Sequence, residues 1–248
     1  FGGIAIVTAF DSIDVDTATS VVRAGSAVPL PVLARRTAQA GLTGFEWAVG
    51  VPGSIGGAVR MNAGGHGSDM AAALVDVDLV DFAEIGDGSV GDGDGQDVPA
   101  VRTVPAAELG LRFRGSGLGE HVVVVSARLR LAPADTASPG QEIKEIVRWR
   151  LDNQPGGQNA GPVFVNPVPG EVSAGELVDR AGLRGRRHGT AQVSEKHANF
   201  IQADPDGSAD DVYELMRIVR SAVLEETGYA LRSEIRLVGF PDGWDDAR

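Results

Sequence analysis

The sequence predicts an α+β protein of two successive domains, and three observations predict it. Strand-like runs dominate the first half, clearest at residues 21–24, 74–82 and 122–131. A stretch rich in Pro, Ala, Ser and Gly, residues 132–140, then reads as an interdomain linker. Beyond it the chain turns helical, with caps and amphipathic spacing. The expected domains are residues 1–135 and 141–240.

Taken in order, residues 4–7 and 21–24 read as short strands of one β pair. Pro29 and Pro31 introduce a helix over 32–40, ended by Gly41, because proline suits a first turn and glycine a helix stop. Residues 74–82 (LVDVDLVDF) alternate apolar with acidic side chains, as a half-buried strand does. Residues 84–99 form an acidic insertion whose Asp-Gly pairs suit a hairpin tip. Its Asp87, Asp92 and Asp94 are hard oxygen donors, but the spacing is not that of a calcium loop, which favours a solvated loop. In the second half, residues 141–153 read as a helix ended before Pro155-Gly156-Gly157. Ser173 and Glu176 form a capping box for a short helix through Ala181, with Leu177, Val178 and Ala181 inward. Ser208 caps a longer helix whose Val212, Leu215, Met216, Val219 and Val223 share a core-facing stripe.

Composition narrows the function. With 248 residues and 43% hydrophobic content the chain can bury a sizeable core. A net charge of −12 argues against nonspecific binding to nucleic acid or an anionic membrane, though not against a local basic pocket. The absence of cysteine excludes disulfides and thiolate chemistry, and His66, His121, His188 and His197 lack ligand spacing, so no metal is expected. No apolar run approaches eighteen residues and no signal peptide opens the chain, so a cytoplasmic protein is the default. The chain starts Phe1-Gly2-Gly3 and is expected to be an N-terminal truncation.

Four segments carry the candidate chemistry. The first is residues 49–64 (VGVPGSIGGAVRMNAG), where Pro52-Gly53 fixes a turn and Gly56-Gly57 allows a second change of direction. Successive free amides in such a loop can hold a phosphate or the edge of a planar cofactor; a buried turn between strands is the other reading. It is neither a dinucleotide-binding G-x-G-x-x-G nor a P-loop. The second is Phe113-Arg114-Gly115-Ser116, whose guanidinium suits a carboxylate or a developing negative charge, unless it is merely solvated. The third joins residues 159–167 (NAGPVFVNP), with Asn166 either binding a ligand or forming an Asn-Pro turn, to residues 185–201. In the latter, Ser194, Lys196, His197 and Asn199 lie on a turn into a strand; no acid is spaced to make a triad with His197. The last is residues 232–239 (RSEIRLVG), read as a C-terminal strand with Ile235 and Leu237 on one face and Glu234 and Arg236 on the other.

These motifs, in this order, resemble those of the UDP-N-acetylenolpyruvoylglucosamine reductases (UDP-N-acetylmuramate dehydrogenases), over almost the whole chain to Gly239. The resemblance implies an FAD-binding domain of the vanillyl-alcohol-oxidase type, its first lobe missing, followed by a small α/β substrate-binding domain. The lack of a large insertion around residues 167–173 resembles the shorter subtype. It further implies NADPH as electron donor, a UDP-sugar enolpyruvyl ether as substrate, a role in peptidoglycan precursor synthesis, and a monomer. Gly50, Pro52, Gly53, Ser54, Gly56, Gly57, Asn62 and Gly64 would face FAD, which the shortened chain is expected to hold poorly. Asn166, Ser194, Lys196, His197 and Asn199 would line the substrate groove, and Arg114 and Glu234 would be catalytic.

Three positions depart from the family pattern: Phe113 stands where the reductases carry tyrosine, Pro162 where they carry the proton-donating serine, and Val165 where a charged residue is often found. Proline has neither a side-chain proton nor an N–H. Either the proton comes from elsewhere, with Glu234 or a water it orders first in line, or the chain binds FAD and nucleotide-sugar without turnover. A different flavin oxidoreductase on the same scaffold is a third reading.

Overall fold

The computed structural model describes residues 8–84, 100–135 and 137–240. The expected strand at 4–7 and the acidic insertion from residue 85 onward lie outside the described residues. The chain divides into two compact units, with the boundary in sequence between Trp149 and Arg150.

The first unit contains strands β1 (Ile13–Asp16), β2 (Val21–Gly25), β3 (Leu42–Thr43), β4 (Gly64–Gly65), β5 (Ser68–Asp69), β6 (Leu74–Asp81), β7 (Arg102–Pro105), β8 (Val122–Arg130) and β9 (Ala132–Pro133). Its helices are α1 (Leu30–Gln39), α2 (Ile55–Met61) and most of α3 (Ala137–Asn153). Five strands form an antiparallel sheet in the order β1-β2-β8-β6-β7. Val22, Ala24, Val77, Leu79, Ala127 and Leu129 from this sheet are buried in one cluster with Leu30, Leu33 and Ala34 of α1 and Ile55 and Val59 of α2. At about 1.5–3 kcal/mol per large side chain, this burial is what holds the sheet against its helices.

The alternation in β6 works as a two-faced pattern, but its acidic face is not simply solvated. Asp76 accepts a hydrogen bond from Arg128 Nε at 2.7 Å. Asp78 accepts from Thr103 Oγ1 and Ser126 Oγ, each at 2.7 Å, and pairs with Arg23. Burial pushes the Asp78 carboxyl up, yet these two hydroxyls and the charges of Arg23 and Arg128 outweigh it and hold the group below its ordinary value.

Two expectations are corrected here. Residues 132–140 are not a linker, because β9 pairs with β3 and α3 begins at Ala137. Pro139 falls in the first turn of α3, where a missing N–H costs nothing, so it starts the helix instead of interrupting it. The glycine-rich segment is not an open loop throughout, since Ile55–Met61 is the helix α2 and Asn62 closes it in the left-handed conformation at φ 40°. The strand β1, which the sequence pattern does not announce, pairs in register with β2, Ile13 opposite Ala24.

The second unit carries β10 (Gln158–Pro162), β11 (Arg187–His188), β12 (Ala191–Val193), β13 (Phe200–Ala203), α4 (Ala174–Arg180) and α5 (Ala209–Thr227). Its sheet is antiparallel, in the order β10-β13-β12-β11. The capping box forms as expected: Ser173 Oγ accepts from Glu176 N at 3.1 Å and Glu176 reaches back to Ser173 N. Ser208 Oγ accepts from Asp210 N, and α5 stops at Gly228 with φ 75°. Leu215, Met216, Val219 and Val223 of α5 are buried with Leu177, Val178, Ala191, Val193 and Phe164.

The third expectation corrected is the C-terminal strand. Residues 232–239 make one bridge, Ser233 opposite Phe164, flanked by Glu234 N–H to Val163 O at 2.8 Å and Val165 N–H to Arg232 O at 3.0 Å. Towards residue 239 the facing stretch is the bulged end of β10, where the Gly161 N–H is taken by Asn159 Oδ1, so the ladder does not continue past Glu234. Ile235 and Leu237 still pack against the core, as their alternation required.

Candidate active site

In the first unit the site is built around α2. Leu30 N–H reaches Gly53 O at 3.0 Å, and Pro29 bridges Ser54, fixing the turn against the start of α1. The first amides of α2 are not free, which corrects the expectation of an amide cradle: Ile55 donates to Val28 O and Gly56 to Ser26 O, both at 2.9 Å. Gly56 is glycine for packing, because a Cβ there would lie 2.9 Å from Ser26 Cβ and 3.3 Å from Ser26 O. Gly64 is likewise structural, since a Cβ would meet Ser68 O at 2.6 Å in the β4–β5 hairpin. Gly50 is buried in the short 3-10 turn before Val51. Pro52, Gly53 and Gly57 are exposed, and a Cβ on Gly53, whose φ is +127°, would meet nothing within 4 Å.

Asn62 is 4% exposed, and its side chain is fully engaged. Its Nδ2 donates to Asp69 Oδ2 at 3.1 Å and to Arg112 O at 3.3 Å, and its Oδ1 accepts from Ala71 N at 2.9 Å. Asn62 is therefore a strut and not a ligand group.

Arg114 stands on a two-residue hairpin turn. Arg112 N donates to Gly115 O at 2.9 Å and Gly115 N returns to Arg112 O at 3.1 Å. Arg114 itself is left-handed, with φ 54°. Its guanidinium carbon lies 4.8 Å from the centroid of the Phe113 ring, which is 67% exposed. The aromatic face that replaces tyrosine thus supports the arginine by a cation–π contact. Ser116, by contrast, is buried and donates from Oγ to Arg60 O at 2.8 Å.

In the second unit, β10 is bulged between Asn159 and Pro162, and Pro162 sits opposite Phe200. Gly161 permits the bulge with φ 85°, and Asn159 Oδ1 accepts from Gly161 N at 3.0 Å. The bond from Glu234 N–H to Val163 O brings Glu234 against the residue that follows Pro162. The two positions, far apart in sequence, are joined by backbone pairing, and both are half-buried.

The remaining candidates separate. Asn199 is 5% exposed and grips one peptide neighbour: Oδ1 accepts from Phe164 N at 2.9 Å and Nδ2 donates to Phe164 O at 2.8 Å. Asn166 Oδ1 accepts from Ala174 N at 3.0 Å, satisfying the start of α4. Ser194 is buried and its Oγ accepts from Lys196 N at 3.2 Å and His197 N at 3.4 Å. Lys196 Nζ donates to Leu151 O. The His197 ring packs edge-on against Phe200, 4.8 Å between centroids, and its Nδ1 accepts from Asn199 N at 3.3 Å. Burial, and after it the charge of Arg184, lowers the pKa of His197 below the ordinary 6.5. Ser194, Glu195 and Lys196 line a cleft of about 400 Å³ with Pro155, Gly156, Gln192 and Gln202. Sequence reasoning passes over Glu195, Gln192 and Gln202, because glutamine and glutamate in a β hairpin carry no local signal of convergence. Among the described residues no three His, Asp or Glu side chains gather as a metal site.

Comparison with known proteins defines first a class. Residues 1–88 match the family model of the FAD binding domain, and residues 153–238 that of the UDP-N-acetylenolpyruvoylglucosamine reductase C-terminal domain. The pair describes a flavin-dependent oxidoreductase with a separate second domain. The chain is 40% identical over 228 residues to the UDP-N-acetylenolpyruvoylglucosamine reductase of Synechococcus sp. (strain WH7803), covering 90% of this chain and 68% of that protein. It is 43% identical over 226 residues to the reductase of Gloeobacter violaceus, covering 90% of this chain and 70% of that one. The crystal structure of the Thermus caldophilus reductase superposes with a TM-score of 0.70 at 35% identity, covering 86% of this chain and 71% of that chain. The chain belongs to the UDP-N-acetylenolpyruvoylglucosamine reductase family.

Proposed function

We propose that the chain reduces the enolpyruvyl ether of UDP-N-acetylglucosamine to UDP-N-acetylmuramate, with FAD as cofactor and NADPH as electron donor, in peptidoglycan precursor synthesis. Family membership across both units supports the reaction. The observation that carries the residue assignment is the pairing of Glu234 with Val163, which unites two motifs that the sequence keeps apart.

The residues present fit a flavin. Gly53 and Gly57 leave open space where side chains would otherwise stand, and Ser54 lies between them in sequence. These three would hold its edge, whereas Gly50, Gly56, Gly64 and Asn62 shape the segment from behind. When bound, FAD would supply hydride-transfer chemistry between NADPH and the C3 carbon of the substrate.

The chain's own side chains handle charge and the proton. Arg114 pairs with the substrate carboxylate and stabilises the negative charge that builds on it as hydride arrives at C3. The product needs one proton at C2, and residue 162 cannot give it, because proline has no side-chain proton and no N–H. Glu234 takes that role, directly or through a water it holds. Asn166, Ser194, Lys196, His197 and Asn199 act as the frame of the substrate side, since each has a polar group engaged within the unit. We assign the activity to a cytoplasmic monomer; among the described residues no helix is long and apolar enough to cross a membrane.

Pro162 also favours a second reading, a relative that binds flavin and nucleotide-sugar without turnover. The test reduces the flavoprotein anaerobically, adds the enolpyruvyl substrate and follows flavin absorbance. Substrate-dependent reoxidation, abolished in Glu234→Gln, is the expected outcome. Flavin that stays reduced until Pro162→Ser is introduced would establish the second reading, and no reaction from either protein would remove the reductase reading and leave Pro162 unable to account for the lost turnover.

A further inference from the structure

The turn that presents Arg114 is anchored at both ends to one element. On its leading side, Arg112 O accepts from Asn62 Nδ2 at 3.3 Å. On its trailing side, Ser116 Oγ donates to Arg60 O at 2.8 Å. Arg60 belongs to the last turn of α2 and Asn62 is its C-cap, so two residues of one helix end hold residues 112 and 116 on either side of Arg114. Arg112 closes the bracket across the turn, its Nη1 donating to Ser116 O at 2.5 Å. The turn also needs the bracket. Arg114 is held at φ 54°, a conformation that is strained for a residue with a Cβ and persists only where the surroundings impose it.

We propose that Ser116 and Asn62 are positioning residues for Arg114, and that α2 is the common frame registering the glycine-rich segment with the substrate-carboxylate arginine. This rests on the reading of Arg114 given above. Neither Ser116 nor Asn62 touches a reacting atom. Ser116 is buried with its hydroxyl on a backbone carbonyl, and Asn62 has its side chain shared among Asp69, Ala71 and Arg112. The consequence is geometric: α2 begins beside Gly53 and Ser54, where a Cβ on Gly53 would meet open space, and ends by bracing the turn that presents Arg114.

The experiment is a double-mutant cycle on the holoenzyme, reading the two half-reactions separately. Ser116→Ala should slow substrate-driven flavin reoxidation roughly tenfold, the worth of one buried hydrogen bond. Flavin reduction by NADPH should stay within about twofold, whereas the substrate concentration at half-saturation should rise, because Arg114 already meets the carboxylate in the bound substrate. Ser116→Thr, which keeps the hydroxyl, should restore most of the rate. In the Arg114→Ala background, Ser116→Ala should cost nothing further. Hydrogen exchange gives a readout independent of turnover: the Gly115 amide, bonded to Arg112 O, should exchange faster in Ser116→Ala while the sheet amides do not change. If Ser116→Ala does not fold, Ser116→Cys, a weak donor of similar size, takes its place in the cycle. Multiplicative losses in the double variant, or equal slowing of both half-reactions, would overturn the proposal. An Arg114→Ala protein that reoxidises at the normal rate would instead refute the role of Arg114 and, with it, the purpose of the bracket.

Discussion

Two adjacent glycines in α2 do opposite things, and the difference can be tested by one methyl group each. At Gly56 an added Cβ would lie 2.9 Å from Ser26 Cβ, with the Ser26 carbonyl close behind, so Gly56→Ala must push α2 off the residues after β2. A loss of about 1–3 kcal/mol, read as a lower urea midpoint, is expected from such overpacking. At Gly57 the nearest atom is Ser54 Oγ at 4.0 Å, and the backbone is helical. Gly57→Ala should therefore stabilise the flavin-free protein by about 0.5–1 kcal/mol through the unfolded chain's lost freedom. If this face meets the cofactor, the same substitution weakens FAD binding, so a titration showing unchanged affinity would remove Gly57 from the cofactor set. Asn199 gives a third residue-scale expectation: Asn199→Ala leaves the Phe164 N–H and C=O without their side-chain partner in a buried site, costing about 2–3 kcal/mol in chemical denaturation. None of these distinctions is local. The sequence shows that glycines cluster and that an asparagine follows His197, but the Ser26 backbone and Phe164 are brought in by distant chain, so the roles become visible only in three dimensions.

At the scale of elements, legibility follows the range of the interactions that define each one. The helices α1, α4 and α5 are readable because their signals are written within a turn of their ends, as Pro29, Ser173 and Ser208. The central strands β6 and β8 are readable from alternation and β-branched runs. The C-terminal strand is not, since beyond Glu234 the facing stretch is the β10 bulge, whose Gly161 N–H goes to Asn159 Oδ1. The turn between β12 and β13 carries a pH expectation of its own. His197 Nδ1 accepts from Asn199 N, which requires the unprotonated ring, and burial followed by the Arg184 charge depresses the histidine below 6.5. Folding thus favours neutral imidazole. The contribution is complete above pH 6.5, the unfolded value, and is lost as acidification passes through the lower folded value. Urea midpoints should fall as the pH drops below 6.5, and His197→Asn, which keeps an acceptor but does not titrate, should flatten that segment of the profile. The Asp78 carboxyl, held below its ordinary 3.8, loses its contribution only at still lower pH and does not confuse the window. A His197→Asn profile identical to the unsubstituted one would place the acid sensitivity elsewhere.

For the whole molecule, the decisive feature is that each unit carries its own apolar core. One cluster draws on residues from Val22 to Ile146 and the other on residues from Val163 to Leu231, without a shared member. Leu129 at the centre of the first and Met216 at the centre of the second are both fully buried. Truncating either to alanine should cost about 2–5 kcal/mol, and the cost should fall on the unit that contains it. Calorimetry of the flavin-free chain is expected to resolve two transitions, with Leu129→Ala lowering one and Met216→Ala the other. Flavin should raise only the Leu129-sensitive transition, because a ligand stabilises the unit it binds by an amount set by its concentration over its dissociation constant. The glycine-rich segment and the match to the FAD binding domain both lie in that unit. A single transition that both substitutions lower and flavin raises would mean that the two cores melt as one cooperative body, and Ser116→Ala would then be expected to weaken the substrate unit as well as the flavin unit. Two transitions would instead confine the α2 bracket to the unit that carries the match to the FAD binding domain, and Ser116→Ala would then lower that transition alone.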